Sequence, residues 1–169
     1  EKFMFKQIDR KLIDFNPFTK IGNDWMLISA KKDGITNTMT ASWGMAGHLW
    51  NEDVVMVFIR PQRYTHEFVD NSTTFSISFF DGKKKELGYL GKVSGKDEDK
   101  ISTVNFHVTE IEGTPTFEEA KFTIICEKIY IDSLKEDSFL NKEILTKHYP
   151  DMDLHTIYIG KVKGMYINE

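Results

Sequence analysis

Short apolar stretches that alternate with polar residues, or run unbroken for a few residues, recur along most of the chain. Alternation with a period of two places successive side chains on opposite faces of a strand, whereas a helix needs apolar residues three and four apart. Strands are therefore predicted at residues 24–31, 36–43, 53–60, 74–80, 106–111, 120–131 and 155–166. The last stretch is interrupted at Gly160 and Gly164, so it predicts either one strand or a pair.

Helices and turns are predicted between these strands. The helical segments are residues 63–71, 83–91 and 139–148, the last closed by Pro150. Residues 32–34 fit a hairpin turn, and residues 44–51, which include two glycines, are predicted to form a loop. Residues 1–20 indicate a short edge strand followed by an extended apolar arm that ends at Asn16-Pro17.

Two of the strands have the pattern of a sheet interior. Residues 53–60 are almost continuously apolar, which predicts a strand covered on both faces. In Phe75-Ser-Ile-Ser-Phe79 the alternation turns the three apolar side chains inward and both serines to the other face. Because strands dominate and no repeat or linker interrupts them, we predict one domain over residues 1–169. Its fold class is mainly β (α+β), an antiparallel barrel with peripheral helices.

The stretch from Asn37 to Thr65 is predicted as two strands and a turn, and its first strand carries a row of hydroxyls. Thr38, Thr40 and Ser42 share one face, and the other face holds Asn37, Met39, Ala41 and Trp43. A buried hydroxyl needs a hydrogen-bond partner, so the row predicts a polar group lying against it. A strand face in contact with solvent is the alternative.

Arg60, Arg63 and Thr65 lie where a strand is predicted to end and a helix to begin. Guanidinium groups and a hydroxyl at such a junction suit a phosphomonoester, which offers three acceptor oxygens and nearly two negative charges. Arg63 with Thr65 could supply a fork of donors and a hydroxyl, and Arg60 is a further candidate. The alternative is that both arginines are exposed surface charges.

Composition excludes several classes of protein. The chain has 169 residues, a net charge of −4 and 40% hydrophobic residues, which fits a packed globule and not a nucleic-acid binder. Cys126 is the only cysteine, so no intramolecular disulfide can form. No apolar stretch approaches the roughly 20 residues of a membrane span, and no signal-peptide pattern is present, so a cytoplasmic protein without a membrane partner is expected.

Motifs for several kinds of chemistry are absent from the sequence. His48, His66, His107 and His148 have no spacing that indicates a metal site, so no metal is expected. Neither a Gly-x-Gly-x-x-Gly fingerprint after a strand nor a Walker A motif is present. Nothing indicates a serine or cysteine nucleophile.

Taken together, several segments resemble the flavin reductase-like family, and within it the flavoredoxin-type branch. The segments are Asn37-Thr-Met-Thr-Ala-Ser-Trp43, Arg60-Pro-Gln-Arg-Tyr-Thr65, Phe75-Ser-Ile-Ser-Phe79, Ser94-Gly-Lys-Asp97 and Lys100. The resemblance covers nearly the whole chain. It implies an FMN-binding split β-barrel that forms a homodimer, with the flavin near the subunit interface.

The resemblance also implies roles for residues of these segments. Asn37 and Trp43 would flank the isoalloxazine ring, with backbone and hydroxyl groups of Thr38, Met39, Thr40 and Ser42 contacting the ring and ribityl chain. The phosphate would bind Arg63 and Thr65. Lys100 would lie near the pyrimidine end of the flavin, although its charged surroundings by themselves indicate a mobile loop. His155 matches a histidine near the flavin that is either catalytic or structural.

By this resemblance the chain is an FMN-dependent oxidoreductase. NAD(P)H would reduce the bound FMN, and the electrons would pass to a flavin, oxygen or an iron centre. One alternative is an electron-transfer protein that serves a redox partner protein. Another is a non-enzymatic split-barrel protein that binds haem, another ligand or none. Whether FAD can replace FMN, and which nicotinamide nucleotide is preferred, stays open.

Overall fold

The structure is a computed structural model that describes residues 5–169, so predictions about the first four residues, Phe3 among them, lie outside it. The strands are β1 (Phe5–Ile8), β2 (Met26–Lys32), β3 (Ile35–Ala41), β4 (Gly44–Leu49), β5 (Glu52–Ile59), β6 (Thr74–Phe79), β7 (Val108–Ile111), β8 (Thr114–Phe117), β9 (Phe122–Ser133) and β10 (Thr156–Asn168). The α-helices are α1 (Pro17–Thr19), α2 (Tyr64–Asp70), α3 (Lys84–Lys92), α4 (Lys100–Thr103) and α5 (Glu143–His148). The mainly β fold with peripheral helices is confirmed.

One antiparallel sheet has the order β3-β2-β6-β9-β10-β5-β4, and β1 also pairs with β10. The long strand β10 pairs with β5 through residues 156–161 and with β1 through residues 165–168. Its pairing with β9 shifts at Ile159/Gly160 and at Val162/Gly164, the two glycines that interrupt the sequence pattern. Bulges increase local twist, so the sheet coils and divides along β10.

Apolar clusters fill both sides of the central strands. One side, which includes Ile28, Phe75, Ile77 and Tyr158, forms the barrel interior. On the other side Leu27 packs with α3 residues such as Leu87 and Leu90. Strands β2 and β6 are thus buried on both faces, as their burial pattern shows.

The predicted alternation in β6 is confirmed, and the serines are also buried. Phe75, Ile77 and Phe79 join the interior cluster. Ser76 donates to the carbonyl of Pro115, and Ser78 lies 2.9 Å from the hydroxyl of Thr116. The β7–β8 hairpin therefore covers the second face of the strand.

The prediction of a loop at residues 44–51 is wrong, and the stretch from Asn37 to Thr65 holds three strands instead of two. Strand β4 pairs with β5 over its whole length. The turn between them is Trp50-Asn51, and both residues have positive φ, 55° and 61°. Two-residue hairpin turns of this kind normally use Gly, Asn or Asp, so a tryptophan there gives little sequence signal. Gly44 permits a close approach, because a Cβ there would lie 2.9 Å from Cε of Met26.

The prediction that β5 is covered on both faces is only partly correct. Val55, Val57 and Ile59 are buried in the interior cluster. Met56 and Phe58 on the other face are half-buried. Phe58 lines two cavities. The continuous apolar run of β5 therefore contributes one face to the core and the other face partly to a cavity wall.

The N-terminal arm is partly packed against the rest of the chain. β1 is the predicted edge strand, and Phe15 contacts Phe79 with ring centroids 5.3 Å apart. The arm is not wholly extended, because Arg10–Leu12 forms a 3-10 turn. Leu12 and Phe18 remain exposed, by 75% and 87%.

Most other predicted elements are found with shifted ends. The segments predicted at 63–71 and 83–91 are α2 and α3. The segment predicted at 139–148 is helical only from Glu143, and the strand predicted from residue 106 begins at Val108. Within residues 5–169 no helix has the length and apolar character needed to cross a membrane.

Candidate functional site

Three neighbouring cavities lie along β3 and the end of β5. The first, the inner pocket, has a volume of about 240 Å³ and is lined by residues that include Asn37, Arg63, Thr65, Ser94 and Lys100. The second, the outer groove, measures about 470 Å³ and is lined by Met39 to Trp43, Phe58, Arg60 and His155. The third, the apolar chamber, measures about 770 Å³ and includes Phe18, Met45, Phe139 and Ile144 in its wall.

The cavities are adjacent to one another, because neighbouring ones share wall residues. Met39, Gln62 and Arg63 line both the inner pocket and the outer groove. Ser42, Trp43, Phe58 and His155 line both the outer groove and the apolar chamber. A ligand with one polar end and a flat apolar body could therefore occupy the pocket and the groove together.

Asn37 and Thr65 form the buried floor of the inner pocket. The amide Nδ2 of Asn37 donates to Oγ1 of Thr65 over 2.9 Å. Thr65 is 1% exposed, and its hydroxyl makes no other hydrogen bond among residues 5–169. Since Oγ1 already accepts from Asn37, its own proton is available to a ligand oxygen in the pocket.

Of the three cationic residues that line the inner pocket, Lys92 is exposed, whereas Arg63 and Lys100 are at least partly buried and have no carboxylate partner in the part of the chain that the structure describes. Arg63 donates to the carbonyl of Gly91, and Nζ of Lys100 donates to the carbonyls of Leu90 and Val93. Burial, and then the nearby charge of Arg60, lowers the pKa of Arg63. Burial and Arg63 lower the pKa of Lys100 to about 8. Unpaired cations in a desolvated pocket favour an anionic ligand.

Lys100 lies in a helix and not in the charged loop that its local sequence indicates. Lys100 is 4% exposed and begins helix α4 after the N-cap Asp99, so it is not part of a mobile charged loop. It shares the inner pocket with Arg63 and Thr65. Lys100 therefore lies in the same pocket as the predicted phosphate-binding pair, and its predicted place near the pyrimidine end of a flavin stays a prediction.

The hydroxyl row faces the protein itself. Thr38 is fully buried, and its hydroxyl donates to the carbonyl of Ile28 and lies 2.8 Å from Oγ of Ser29. Thr40 donates to the carbonyl of Leu87 in α3. The polar partners of these two hydroxyls are thus a neighbouring strand and a helix. Thr40 and Ser42 still line the outer groove, whereas Thr38 lines neither of the two cavities.

Trp43 and Arg60 both line the outer groove. Trp43 is 46% exposed and lies 5.2 Å from the ring of His148 and 5.4 Å from that of His155, between centroids. Arg60 donates to the carbonyl of His148 and forms an ion pair of 2.8 Å with Asp153. Because its charge is already paired, Arg60 serves to hold the segment after α5 and offers less to an anion than Arg63 does.

His155 lies where the outer groove meets the apolar chamber. It is 7% exposed, and its Nδ1 is 2.5 Å from the hydroxyl of Tyr149. Burial, followed by the charge of Arg60, lowers the pKa of His155 to about 4. The imidazole is therefore neutral near pH 7.

Several wall residues were missed in the sequence. Gln62 lines both the inner pocket and the outer groove and donates to Asp153 over 2.6 Å. Ser94 and Lys92 line the inner pocket, and Phe58 lines the groove. Gln62 and Ser94 lie inside segments that carry the family resemblance, which is the signal that could have identified them.

Outside the cavities, the structure brings together His107, Glu118 and Glu119, whose possible ligand atoms lie within 4.8 Å of one another. The backbone N–H of His107 already donates to Glu119 over 2.5 Å, and the His107 ring lies 3.3 Å from the same carboxylate. These contacts account for the cluster as a link between the chain before β7 and the chain after β8.

Comparison with protein families gives one match, to a family described as the flavin reductase like domain, over residues 18–169. A search of curated proteins found no match.

Solved structures share the fold at low sequence identity. A flavoredoxin from Methanosarcina acetivorans is 23% identical with a TM-score of 0.67, and the match covers 86% of this chain and 69% of that one. An FMN-binding domain of a flavin reductases-like enzyme from Shewanella baltica is 18% identical with a TM-score of 0.69, covering 98% and 78%. An NADH:FAD oxidoreductase from Streptomyces globisporus, in complex with NAD and FAD fragments, is 17% identical with a TM-score of 0.64, covering 86% and 77%.

Proposed function

Because the chain belongs to the family of flavin reductase-like domains, we propose that it is an FMN-binding oxidoreductase whose inner pocket and outer groove hold the cofactor. The observation that carries this proposal is that two partly or fully buried cations, Arg63 and Lys100, line one small pocket without a carboxylate partner among residues 5–169. A phosphomonoester supplies the negative charge and the acceptor oxygens that this pocket lacks.

The phosphate would lie in the inner pocket. Arg63 and Lys100 would donate charged hydrogen bonds, and Thr65, held by Asn37, would donate its hydroxyl proton. The side chain of Asn37 is itself confined by Gly95, since a Cβ at that glycine would overlap with Oδ1 of Asn37. This preformed set of donors fits a terminal phosphate better than it fits a ligand such as haem.

The flavin ring would lie in the outer groove. Met39 and Ala41 offer an apolar wall, and Trp43 offers an aromatic edge. The backbone of β3 would provide hydrogen-bonding groups for the ring and the ribityl chain. Bound FMN would supply the redox chemistry, taking hydride from NAD(P)H and passing electrons to a flavin, oxygen or an iron centre. The apolar chamber beside Trp43 and His155 would admit the ring that exchanges electrons with it.

The absorbance spectrum of the protein with FMN, followed by stopped-flow mixing with NADH or NADPH, tests this function. A flavoprotein spectrum that bleaches rapidly supports the reductase. Retention of FMN with slow bleaching by both nucleotides would instead favour an electron-transfer protein with a protein partner. Failure to bind any flavin would contradict the proposal and favour a split-barrel protein with another ligand. FAD in place of FMN is tested by the same titration, and a cytoplasmic location stays a prediction.

Flavin affinity is expected to fall as the pH rises above about 8, because Lys100 then loses its proton. A bound phosphate favours the ammonium form, so the complex binds more protons than the free protein does, and affinity falls by up to about tenfold per pH unit. Between about pH 6 and pH 7 Lys100 is charged and the phosphate keeps most of its second negative charge, so the affinity should change little. Fluorescence titration of FMN across this range measures the effect. Lys100→Met should bind weakly without the pH dependence, and equal affinity of the unsubstituted protein at about pH 7 and pH 9 would contradict the assignment.

We also propose that the protein is a homodimer that uses the exposed apolar surface around β4. Met45 is 57% exposed and Trp50 56%, and Phe18 lies across the apolar chamber from Met45. An edge strand with such residues is normally covered. Light scattering should give twice the subunit mass of 19.7 kDa, and Met45→Asp should lower it. A mass of one subunit for the unsubstituted protein would contradict the dimer.

A further inference from the structure

The two ring nitrogens of His155 have different surroundings. Nδ1 lies 2.5 Å from the hydroxyl of Tyr149, which is itself buried. Nε2 has no hydrogen-bond partner among residues 5–169, and it is not among the polar atoms sealed from solvent. Because His155 lines both the outer groove and the apolar chamber, Nε2 is the nitrogen that a ligand there can reach.

The hydrogen bond between Tyr149 and His155 selects one tautomer of the neutral imidazole. If Nδ1 carried the proton, it would donate to the Tyr149 oxygen, and the buried tyrosine proton would have no acceptor among the described residues. If the Tyr149 hydroxyl donates to Nδ1, the proton of the imidazole lies on Nε2. The tyrosine proton then has an acceptor, and the Nε2 proton faces the cavities. An unsatisfied buried donor costs stability, so the second arrangement is favoured.

The charges around His155 keep the ring neutral. Arg60 lies at the end of β5 with its guanidinium 4.9 Å from the Tyr149 ring centroid, and Arg63 lies beyond it. Asp153 opposes them but is paired with Arg60 and Gln62. His148 also contacts Trp43, with ring centroids 5.2 Å apart. A neutral ring can donate only through the nitrogen that carries its single proton.

We propose that Tyr149 is a positioning residue that fixes His155 as an Nε2–H donor to a carbonyl oxygen on the redox partner of the bound flavin. This inference rests on the proposed function. The partner is a ring with a conjugated carbonyl, and the nicotinamide carboxamide is such a group. The ring itself would pack against Trp43 and Phe58, which lie 5.4 and 6.4 Å from His155 between ring centroids.

The tautomer can be measured without any ligand. Two-bond ¹H–¹⁵N spectra of the purified protein distinguish protonated from unprotonated ring nitrogens of His155. We expect Nε2–H in the unsubstituted protein and a mixture of tautomers in Tyr149→Phe, which keeps the aromatic ring and loses only the hydroxyl. Tyr130→Phe is the matched control, because Tyr130 is exposed and donates to Asp132 far from the cavities. A predominant Nδ1–H tautomer in the unsubstituted protein would overturn the proposal.

The donor role is tested by the half-saturating NADH concentration for reduction of the holoprotein. Tyr149→Phe should raise it by about 3- to 10-fold, the effect of one lost hydrogen bond, with FMN affinity unchanged. The thionicotinamide analogue of NADH carries sulfur, a weak acceptor, in place of the carboxamide oxygen. With the unsubstituted protein, the half-saturating concentration of this analogue should exceed that of NADH by a similar factor. With Tyr149→Phe, the half-saturating concentration of the analogue should rise little further. Independent, multiplying losses would overturn the proposal.

A second variant guards against a merely structural effect. His155→Gln keeps a side-chain N–H donor but has no tautomers, so adding Tyr149→Phe to it should change the NADH dependence little. If the double variant loses the full factor again, Tyr149 acts through folding and the proposal fails. If NADH and NADPH both leave the flavin oxidised while the spectra still give Nε2–H, the proposed reductase fails and the donor role falls with it, whereas the tautomer assignment stands.

Discussion

Arg63→Ala is expected to raise the Kd of FMN by about 5- to 150-fold, which corresponds to about 1 to 3 kcal/mol for a lost hydrogen bond to a charged group. Arg63 is half-buried, donates to the carbonyl of Gly91 and has no carboxylate partner among residues 5–169. Its charge is therefore available to a phosphate in the inner pocket. Quenching of FMN fluorescence measures the Kd.

Arg10→Ala is the matched control for this experiment. Arg10 is exposed and paired with Asp53 on the β4–β5 hairpin, away from the inner pocket. Its removal should leave the Kd unchanged. A wild-type Kd in Arg63→Ala, with the same thermal stability, would show that the phosphate is bound elsewhere.

Phe75→Ala is expected to lower the free energy of unfolding by about 3 to 5 kcal/mol. Phe75 is fully buried at the centre of the barrel interior. A Cβ at Gly160 would lie 2.8 Å from its ring, so the strand β10 bulge is packed directly on it. Truncation leaves a cavity between Phe75 of β6 and Gly160 of β10. Denaturant unfolding monitored by circular dichroism measures the loss of stability.

Leu140→Ala is the control for burial, because Leu140 is 99% exposed and its removal should be nearly neutral. If Phe75→Ala does not fold, Phe75→Leu retains most of the volume and should cost less than about 1.5 kcal/mol. A loss below about 1 kcal/mol for Phe75→Ala would contradict the packing described for the barrel interior.

Much of the fold could be predicted because its strands have local signals. The serines of β6 alternate with phenylalanine and isoleucine, and the glycines of β10 coincide with the register shifts. Arg63 and Thr65 lie in one short segment, so their shared position in the inner pocket follows from the chain itself.

The features that local sequence patterns do not reveal depend on residues distant in the chain or on unusual turn residues. Whether Thr38 faces a ligand is decided by Ser29 and Ile28 in the paired strand. The position of Lys100 is decided by the carbonyls at the end of α3, which no local pattern reveals. The Trp50-Asn51 turn lacks the glycine that usually marks such a hairpin.

A crystal structure of the protein with FMN tests the central claim most directly. The account predicts a phosphate held by Arg63, Thr65 and Lys100 in the inner pocket and a ring along β3 in the outer groove. Density for FMN at another surface, with the inner pocket closed by the protein's own side chains, would contradict it.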